Sequence, residues 1–228
     1  MLEDSVKNML AIFDIDGTIC DTQEVEGRCY AQAFEEVFCF SLETLDWTNF
    51  EEPTSSGIVR TLCGHLADIG AREIEFRNRF VDLLKQERPR FPGDFSPLCG
   101  ATEFILQLSS DPSITVAFGT GGFDTEAEFK LKCCGIDTRS YPHATSSDTP
   151  KRRDIIPLAA NRARGDIASA VYFGDAPWDV KACGILSVPM IGIGRRIDCL
   201  QELGLTDVFR DFSDPNRVRT AMKNKRRS

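Results

Sequence analysis

The sequence has no long apolar segment and no start of the kind that directs a protein to export. No apolar run among its 228 residues approaches the roughly 18 residues that a bilayer-spanning helix needs. The N-terminal segment MLEDSVKNML has neither the basic start nor the extended apolar stretch of a signal peptide. We therefore expect a cytoplasmic protein without a membrane partner.

Basic residues are too few for a surface that binds nucleic acid. The chain has 27 lysine and arginine residues against 35 aspartate and glutamate residues, which gives a formal net charge of −8. Broad nucleic-acid binding requires a basic face, so we expect no nucleic-acid partner. A phosphate site is still compatible with this composition, because a local cleft can be positive within an acidic protein.

Paired cysteine motifs are also missing. The nine cysteines are odd in number, and none of them forms a Cys-x-x-Cys pair. Most lie within apolar helical or strand patterns, so we interpret them as reduced, mainly buried thiols. Cys63 and His65 resemble half of a metal site, but no second half accompanies them, and we predict no metal site there.

The sequence does contain alternating strand and helix patterns. Hydrophobic residues make up 42% of the chain, which is enough for a sizeable core. Short apolar runs predict strands at 9–13, 114–118, 170–173 and 188–193, with a weaker one near 207–211. Helical patterns occur between them, at 102–109 and 154–164. This alternation predicts an α/β fold with a Rossmann-like parallel sheet and helices on both faces.

A long helical insertion separates the first two predicted strands, which end and begin at residues 13 and 114. That separation is far too long for one crossover connection. Between 23 and 88 the patterns are helical only, with apolar stripes at 25–38, 58–69 and 76–84. Thr54 to Ser56 start the second stripe and Gly70 ends it. We predict an all-helical cap at 20–93, inserted into a core formed by 1–19 and 94–228.

Acidic residues directly follow two of the predicted strands. The segment DIDGT follows the first strand and contains Asp14 and Asp16, while GDAPWD follows the third and contains Asp175 and Asp179. Ligands bind outside the carboxyl ends of strands in an open parallel sheet, so these acids are expected at one site. Four carboxylates supply hard oxygen ligands of the kind that suits Mg²⁺. Gly17 allows the chain to turn sharply after them.

Two further segments are suited to holding a phosphate. GTGG follows the second strand, where the Thr120 hydroxyl and the open backbone N–H groups around Gly121 can cradle an anion. Lys151, Arg152 and Arg153 precede a predicted helix, and a cation there would offset the acids and hold the transferring oxygens. The residues themselves leave the choice between Lys151 and Arg152 open.

Taken in order, these motifs resemble those of the haloacid dehalogenase-like hydrolases over nearly the whole chain. The family pattern is Asp-x-Asp-Gly-Thr, then Thr or Ser after the second core strand, then Lys or Arg, then Gly-Asp-x-x-x-Asp. The helical insertion resembles the cap that follows the first core strand of the family. The segment 147–155 resembles a branch in which arginine replaces the usual lysine. That alignment favours Arg152 and keeps Lys151 as the alternative.

The resemblance implies a magnesium-dependent phosphatase, a phosphoric monoester hydrolase that acts on a small phosphorylated metabolite. It implies that Asp14 attacks phosphorus to form an aspartyl phosphate and that Asp16 serves as general acid and base. Magnesium would be held by Asp14, the Asp16 backbone carbonyl and Asp175, with Asp179 supporting that shell. The phosphoryl oxygens would be held by Thr120, Gly121 and either Arg152 or Lys151.

The acid at position 16 also separates branches of the resembled family. Halide-removing members lack it. Phosphonate-cleaving members use a cap lysine, whereas the first predicted cap helix, at 23–38, contains no lysine. A phosphomutase, a phosphoanhydride hydrolase and a non-catalytic binding protein of the same fold are the alternatives. Sugar phosphates, phosphoglycolate and nucleotides are all open as substrates, and we expect a monomer or homodimer.

Overall fold

A computed structural model describes residues 8–225. Residues 1–7 and 226–228 lie outside the described residues. They include both ends of the predicted core and most of the N-terminal segment MLEDSVKNML. The strands are β1 (Met9–Phe13), β2 (Ile114–Gly119), β3 (His143–Ala144), β4 (Ala170–Gly174), β5 (Met190–Ile193) and β6 (Val208–Phe209). The helices are α1 (Gln23–Phe38), α2 (Ser55–Cys63), α3 (Ile69–Glu87), α4 (Ala101–Ser109), α5 (Asp124–Cys133), α6 (Arg152–Arg162), α7 (Pro177–Leu186), α8 (Ile197–Glu202) and α9 (Pro215–Lys225).

The six strands form one parallel sheet in the order β3-β2-β1-β4-β5-β6. The α/β class with a Rossmann-like parallel sheet is therefore confirmed. The chain first builds outward from β1 through β2 to β3, and then crosses back to β4 on the other side of β1. Such a reversal opens a crevice at the carboxyl ends of β1 and β4, where α/β proteins bind their ligands.

Strand β1 lies at the centre of the core, because both of its faces are covered. Ala11 and Phe13 belong to the apolar cluster on one face, and Leu10 and Ile12 to the cluster on the other. Phe13 stacks on Phe173 of β4, with the ring centroids 4.3 Å apart. A strand covered on both faces reads as a continuous apolar run, and for this reason the sequence located it well.

The segment between β1 and β2 folds as helices around its own apolar cluster. Tyr30 and Phe34 of α1 pack against Phe76 and Phe80 of α3, and all four side chains are fully buried. The centroids of the Tyr30 and Phe76 rings lie 4.8 Å apart, edge to face. This cluster supplies the insertion with packing that is separate from the two clusters flanking the sheet.

The predicted end of the second inserted helix is wrong. Helix α2 ends at Cys63, and Gly70 lies inside α3 instead of closing a helix. The chain turns between them, with the Leu66 N–H donating to the Cys63 carbonyl at 3.0 Å. Leu66 and Ile69 still pack against the inserted cluster, so the apolar spacing continues through a turn that periodicity does not reveal.

One pair of cysteines lies close together in the structure. The Cα atoms of Cys20 and Cys134 are 6.8 Å apart. They are separated by 114 residues, so their spacing in the sequence gives no hint of this proximity. Of the other seven cysteines, Cys29, Cys63 and Cys183 are buried. Across residues 8–225, no helix combines the length and the apolar character that crossing a membrane requires.

Candidate active site

Three carboxylates converge at the carboxyl edge of the sheet. Asp14 follows β1 directly, Asp175 follows β4, and Asp179 lies in the first turn of α7. One oxygen from each carboxylate lies within 4.8 Å of the other two, and all three side chains are buried. Because β1 and β4 are neighbours, the topology brings together acids that lie far apart in the sequence.

Burial makes the ionised forms of these acids unfavourable. It raises the pKa of Asp14, and the adjacent Arg152 guanidinium offsets only part of the effect. The pKa of Asp175 lies well above its usual range, again through burial, with Arg196 opposing the shift. Burial raises the pKa of Asp179 to about 7, against the influence of Arg152. A bound cation would relieve this cost by stabilising the carboxylates.

The donor set fits a magnesium ion. Carboxylates are hard oxygen ligands, and a magnesium site needs only a few of them in addition to water and substrate phosphate. Within residues 8–225, no group donates a hydrogen bond to the buried Oδ1 of Asp14. Arg152 Nη1 lies 3.2 Å from that oxygen, as an ion pair without hydrogen-bond geometry. This oxygen is therefore available as a ligand or as a nucleophile.

Asp16 lies on the other side of the same turn, and its carboxylate faces different partners. It accepts a hydrogen bond from the Thr22 hydroxyl and forms an ion pair with Lys130. Gly17, directly after Asp16, turns the chain with a φ of +74°. A Cβ at this position would lie 2.3 Å from Oδ2 of Asp175, so both the backbone conformation and the close approach require glycine.

Arg152 is the cation of the KRR segment that lies in the site. Its Nη1 is 2.9 Å from Oδ1 of Asp179 and donates to the Tyr172 hydroxyl at 3.0 Å. The Tyr172 hydroxyl in turn donates to the Gly119 carbonyl at 2.9 Å. Lys151 is exposed and precedes the first residue of α6. The alternative assignment to Lys151 therefore does not agree with its position.

Thr120 and Gly121 lie on the loop after β2, at the same edge. Thr120 is buried, and its Oγ1 accepts a hydrogen bond from the Gly122 N–H at 3.2 Å. A Cβ on Gly121 would lie 2.5 Å from Nη2 of Arg152, so glycine leaves the room that the guanidinium occupies. This loop and Arg152 line a cavity of about 340 Å³ together with Asp14, Asp16 and Asp175.

The inserted helices cover this cavity through the start of α2. The Thr54 hydroxyl accepts from the Gly57 N–H at 2.9 Å and donates to the Pro150 carbonyl at 2.6 Å. The Ser55 N–H donates to the Gly121 carbonyl at 2.8 Å. Thr54 and Ser55 therefore cap a helix and line the cavity at the same time.

Sequence reasoning missed a buried ionic cluster behind Asp16. Lys130 Nζ lies 2.5 Å from Oδ1 of Asp16, 2.6 Å from Oε1 of Glu126 and 3.3 Å from Oε2 of Glu26. The Lys130 and Glu126 side chains are both fully buried. In the sequence these two residues form an i,i+4 pair, which is most often found on an exposed helix face.

Further contacts around the acids also had no clear sequence signal. Gln23 Nε2 donates to Oδ2 of Asp175 at 2.5 Å, and Arg196 Nη1 lies 3.4 Å from the same oxygen. The Arg196 guanidinium stacks over the Trp178 ring at 5.3 Å from its centroid. Tyr172 occurs within an apolar strand run, where its hydroxyl gives no indication of a role at the site.

Comparison with known proteins gives a consistent picture. A family model described as haloacid dehalogenase-like hydrolase matches residues 11–193. A phosphoglycolate phosphatase of Agrobacterium fabrum is 27% identical over 194 residues, which cover 81% of this chain and 79% of that protein.

Solved structures show the same fold. A hydrolase from Pseudomonas syringae has a TM-score of 0.72 at 19% identity, with 95% of this chain and 98% of that chain covered. CbbY from Rhodobacter sphaeroides in complex with phosphate has a TM-score of 0.70 at 17% identity, with 91% and 96% covered.

Proposed function

The chain belongs to the haloacid dehalogenase-like hydrolases, and from that premise we propose that it is a magnesium-dependent phosphatase acting through an aspartyl phosphate on Asp14. The observation that carries this proposal is the meeting of Asp14, Asp175 and Asp179 beside a buried Arg152 at one edge of the sheet. Phosphoryl transfer requires mainly positioning and charge neutralisation, and these groups supply both.

In the first step, a carboxylate oxygen of Asp14 attacks the phosphorus of a bound monoester. The bond between phosphorus and the ester oxygen breaks, and its electron pair stays on the departing oxygen. That oxygen takes the proton of the Asp16 carboxyl group, and the free alcohol leaves. Thr120, the backbone around Gly121 and Arg152 hold the remaining phosphoryl oxygens during this transfer.

In the second step, Asp16 is a carboxylate and takes a proton from a water molecule. The water oxygen bonds to phosphorus, and the bond between phosphorus and the Asp14 oxygen breaks. Inorganic phosphate leaves, the Asp14 carboxylate is restored, and Asp16 again carries the proton with which the cycle began. Both steps use the carboxyl group of Asp16, which lines the cavity with Asp14 and does not belong to the buried trio.

Magnesium would be held by Asp14, Asp175 and the backbone carbonyl of Asp16. When bound, the ion supplies positive charge that neutralises the carboxylates and the phosphoryl oxygens. Asp179 supports the site without contacting the ion. Its carboxylate accepts a hydrogen bond from the Ala176 N–H at 3.2 Å and forms an ion pair with Arg152 at 2.9 Å. These contacts fix the direction from which the guanidinium approaches the phosphoryl group.

Residues 20–93 form the cap of this enzyme, and the cap selects the substrate. The Ser55 N–H donates to the Gly121 carbonyl in the loop proposed to hold the phosphate, and the Thr54 hydroxyl donates to the Pro150 carbonyl just before the KRR segment. The relative from Agrobacterium fabrum is called a phosphoglycolate phosphatase, which makes phosphoglycolate the first ester to test. The cytoplasmic location and a monomeric or homodimeric state stay predictions from the sequence.

A panel of phosphorylated metabolites tests the function. Phosphate release is measured from phosphoglycolate, sugar phosphates and nucleotides, with magnesium and after chelation. We expect magnesium-dependent release from at least one ester, and a fall of at least a thousandfold in the Asp14→Asn variant because the nucleophile is lost. The matched control is Asp154→Asn, an exposed acid in the first turn of α6.

The controls separate this proposal from its rivals. Release that persists unchanged in chelator would contradict the metal requirement. A folded Asp14→Asn variant that retains a tenth of the activity would contradict the covalent step. Transfer of phosphate between positions of a sugar, without release, would identify a mutase.

A further inference from the structure

We propose that Lys130 is a positioning residue for the acid and base step, one that fixes a single oxygen of the Asp16 carboxyl group so that the other faces the departing ester oxygen. This inference rests on the proposed function, since it assigns a partner to its general acid. The residue lies on α5 of the core, far in sequence from the DIDGT segment.

Two contacts of the Asp16 side chain fall on the same oxygen. Oδ1 receives the Lys130 ammonium at 2.5 Å and the hydrogen bond from the Thr22 hydroxyl. Asp16 also lines the active-site cavity. Anchoring one oxygen fixes the rotation of the carboxyl group, and a group held in a productive orientation transfers its proton more effectively.

Lys130 is itself held by one carboxylate from the core and one from the inserted helices. Glu126, one turn earlier on α5, contacts it at 2.6 Å, and Glu26 of α1 contacts it at 3.3 Å. Oε2 of Glu126 accepts from the Phe123 N–H at 2.8 Å and from the Ser55 hydroxyl at 3.2 Å. The ammonium is therefore tied to the backbone of the core and to the inserted helices.

A purely apolar residue would fill this position at a lower cost of desolvation. The neighbouring Ala127 and Leu131 of α5 pack into the apolar cluster on one face of the sheet. A buried ammonium stabilises a fold poorly compared with an apolar residue of similar volume. What the charge does supply is a directional contact to the proposed general acid.

The surroundings of Lys130 do not suit a nucleophilic amine. Carboxylate oxygens of Asp16, Glu126 and Glu26 lie within 3.3 Å of its nitrogen, and they stabilise the charged ammonium. An ammonium has no free electron pair with which to form an imine. The cluster therefore holds Asp16 in place and takes no covalent part in the reaction.

The test compares two classes of ester in two variants. Lys130→Met removes the charge at similar length, and Lys130→Met/Glu126→Gln removes one charge of each sign so that the net charge of the cluster is kept. Lys132→Met, an exposed lysine of the same helix, is the matched control. Circular dichroism and inhibition by vanadate report the fold and the phosphate site.

The measured quantity is kcat/KM for the best alkyl ester of the panel and for p-nitrophenyl phosphate. This ratio covers the steps up to departure of the leaving group. An alkoxide needs a proton to leave and nitrophenolate does not. We expect the double variant to lose about a hundredfold on the alkyl ester, less than about threefold on the aryl ester, and to bind vanadate as before.

Other outcomes decide against the inference. Equal losses on both esters, or no loss on either, would overturn it and leave the phosphatase assignment standing. Two variants that fail to fold would show that Lys130 serves the fold, which also overturns it. An unmodified protein that is inactive on every ester would instead remove the proposed function, and this inference with it.

Discussion

At the scale of single residues, two aspartates separated by one position have different surroundings. Asp14 is buried with an oxygen that receives no hydrogen bond from any described residue, while Asp16 lies against Lys130 and Thr22. The first arrangement suits a nucleophile or metal ligand, and the second suits a carboxyl group that keeps one orientation. The chemistry of each residue therefore depends on its contacts more than on its type.

The contrast between Arg152 and Lys151 can be tested directly. Arg152→Met leaves Asp14 and Asp179 without their buried counter-ion, so we expect kcat/KM to fall at least a hundredfold and stability to fall by about 3 kcal/mol. Lys151→Met is the matched control, and it should change neither quantity because Lys151 is exposed. Phosphate release and urea denaturation measure the two effects. The reverse ranking would restore Lys151 as the phosphate clamp.

The sequence predicted the location of site residues that directly follow a strand. Asp14, Asp175 and Thr120 follow strands, and parallel strands end at one edge. Lys130 was missed because α5 has a mixed polar pattern in which a buried lysine cannot be told from an exposed one. Lys130 is buried because the inserted helices fold over α5. Local periodicity in the sequence does not report a contact between segments that lie far apart in the chain.

At the scale of elements, the start of α2 joins the inserted helices to the core. Thr54→Ala removes the buried N-cap bond from the Gly57 N–H and the partly buried hydrogen bond to the Pro150 carbonyl. We expect a loss of about 1–2 kcal/mol from the missing cap and bond. Thr54→Ser keeps the hydroxyl and should restore most of that loss. Thermal unfolding measures both variants, and equal melting temperatures for the serine and alanine proteins would contradict the capping role.

The accuracy with which each helix or strand was predicted from the sequence depended on how that segment is packed. Helix α1 was predicted at its observed bounds because one apolar stripe runs along its length and faces the inserted cluster. Strand β3 was missed, since a strand of two residues has no periodicity. The boundary between α2 and α3 was missed because both helices pack against the same cluster. Local pattern therefore predicts how a segment is buried better than it predicts where the segment ends.

At the scale of the whole molecule, the buried acids make stability depend on pH. Asp175 and Asp179 have pKa values above those of the unfolded chain, for Asp179 about 7. Between the unfolded value and the raised folded value, the folded state binds more protons than the unfolded state does. Stability from these groups is therefore present at low pH and is lost as pH rises toward and through the folded pKa. Magnesium should reverse this loss of stability. At low pH, protons remove the cost of burying charged carboxylates, and at high pH a bound magnesium ion would stabilise the same carboxylates in their ionised form.

This linkage leads to a thermal measurement with and without magnesium. At pH 8, saturating magnesium should raise the melting temperature of the chelator-treated protein by about 5 °C or more. The increase should shrink at pH 6, where protons compete with the ion for the carboxylates. Asp175→Asn should lose most of the increase, while the exposed control Asp154→Asn should keep it. A melting temperature that is insensitive to magnesium at pH 8 would show that the three acids do not form the metal site.

Calcium should raise the melting temperature without supporting phosphate release, since its looser coordination tolerates a site in which Asp14 is misaligned for attack. Turnover supported by calcium alone would show that octahedral geometry is not what the reaction requires.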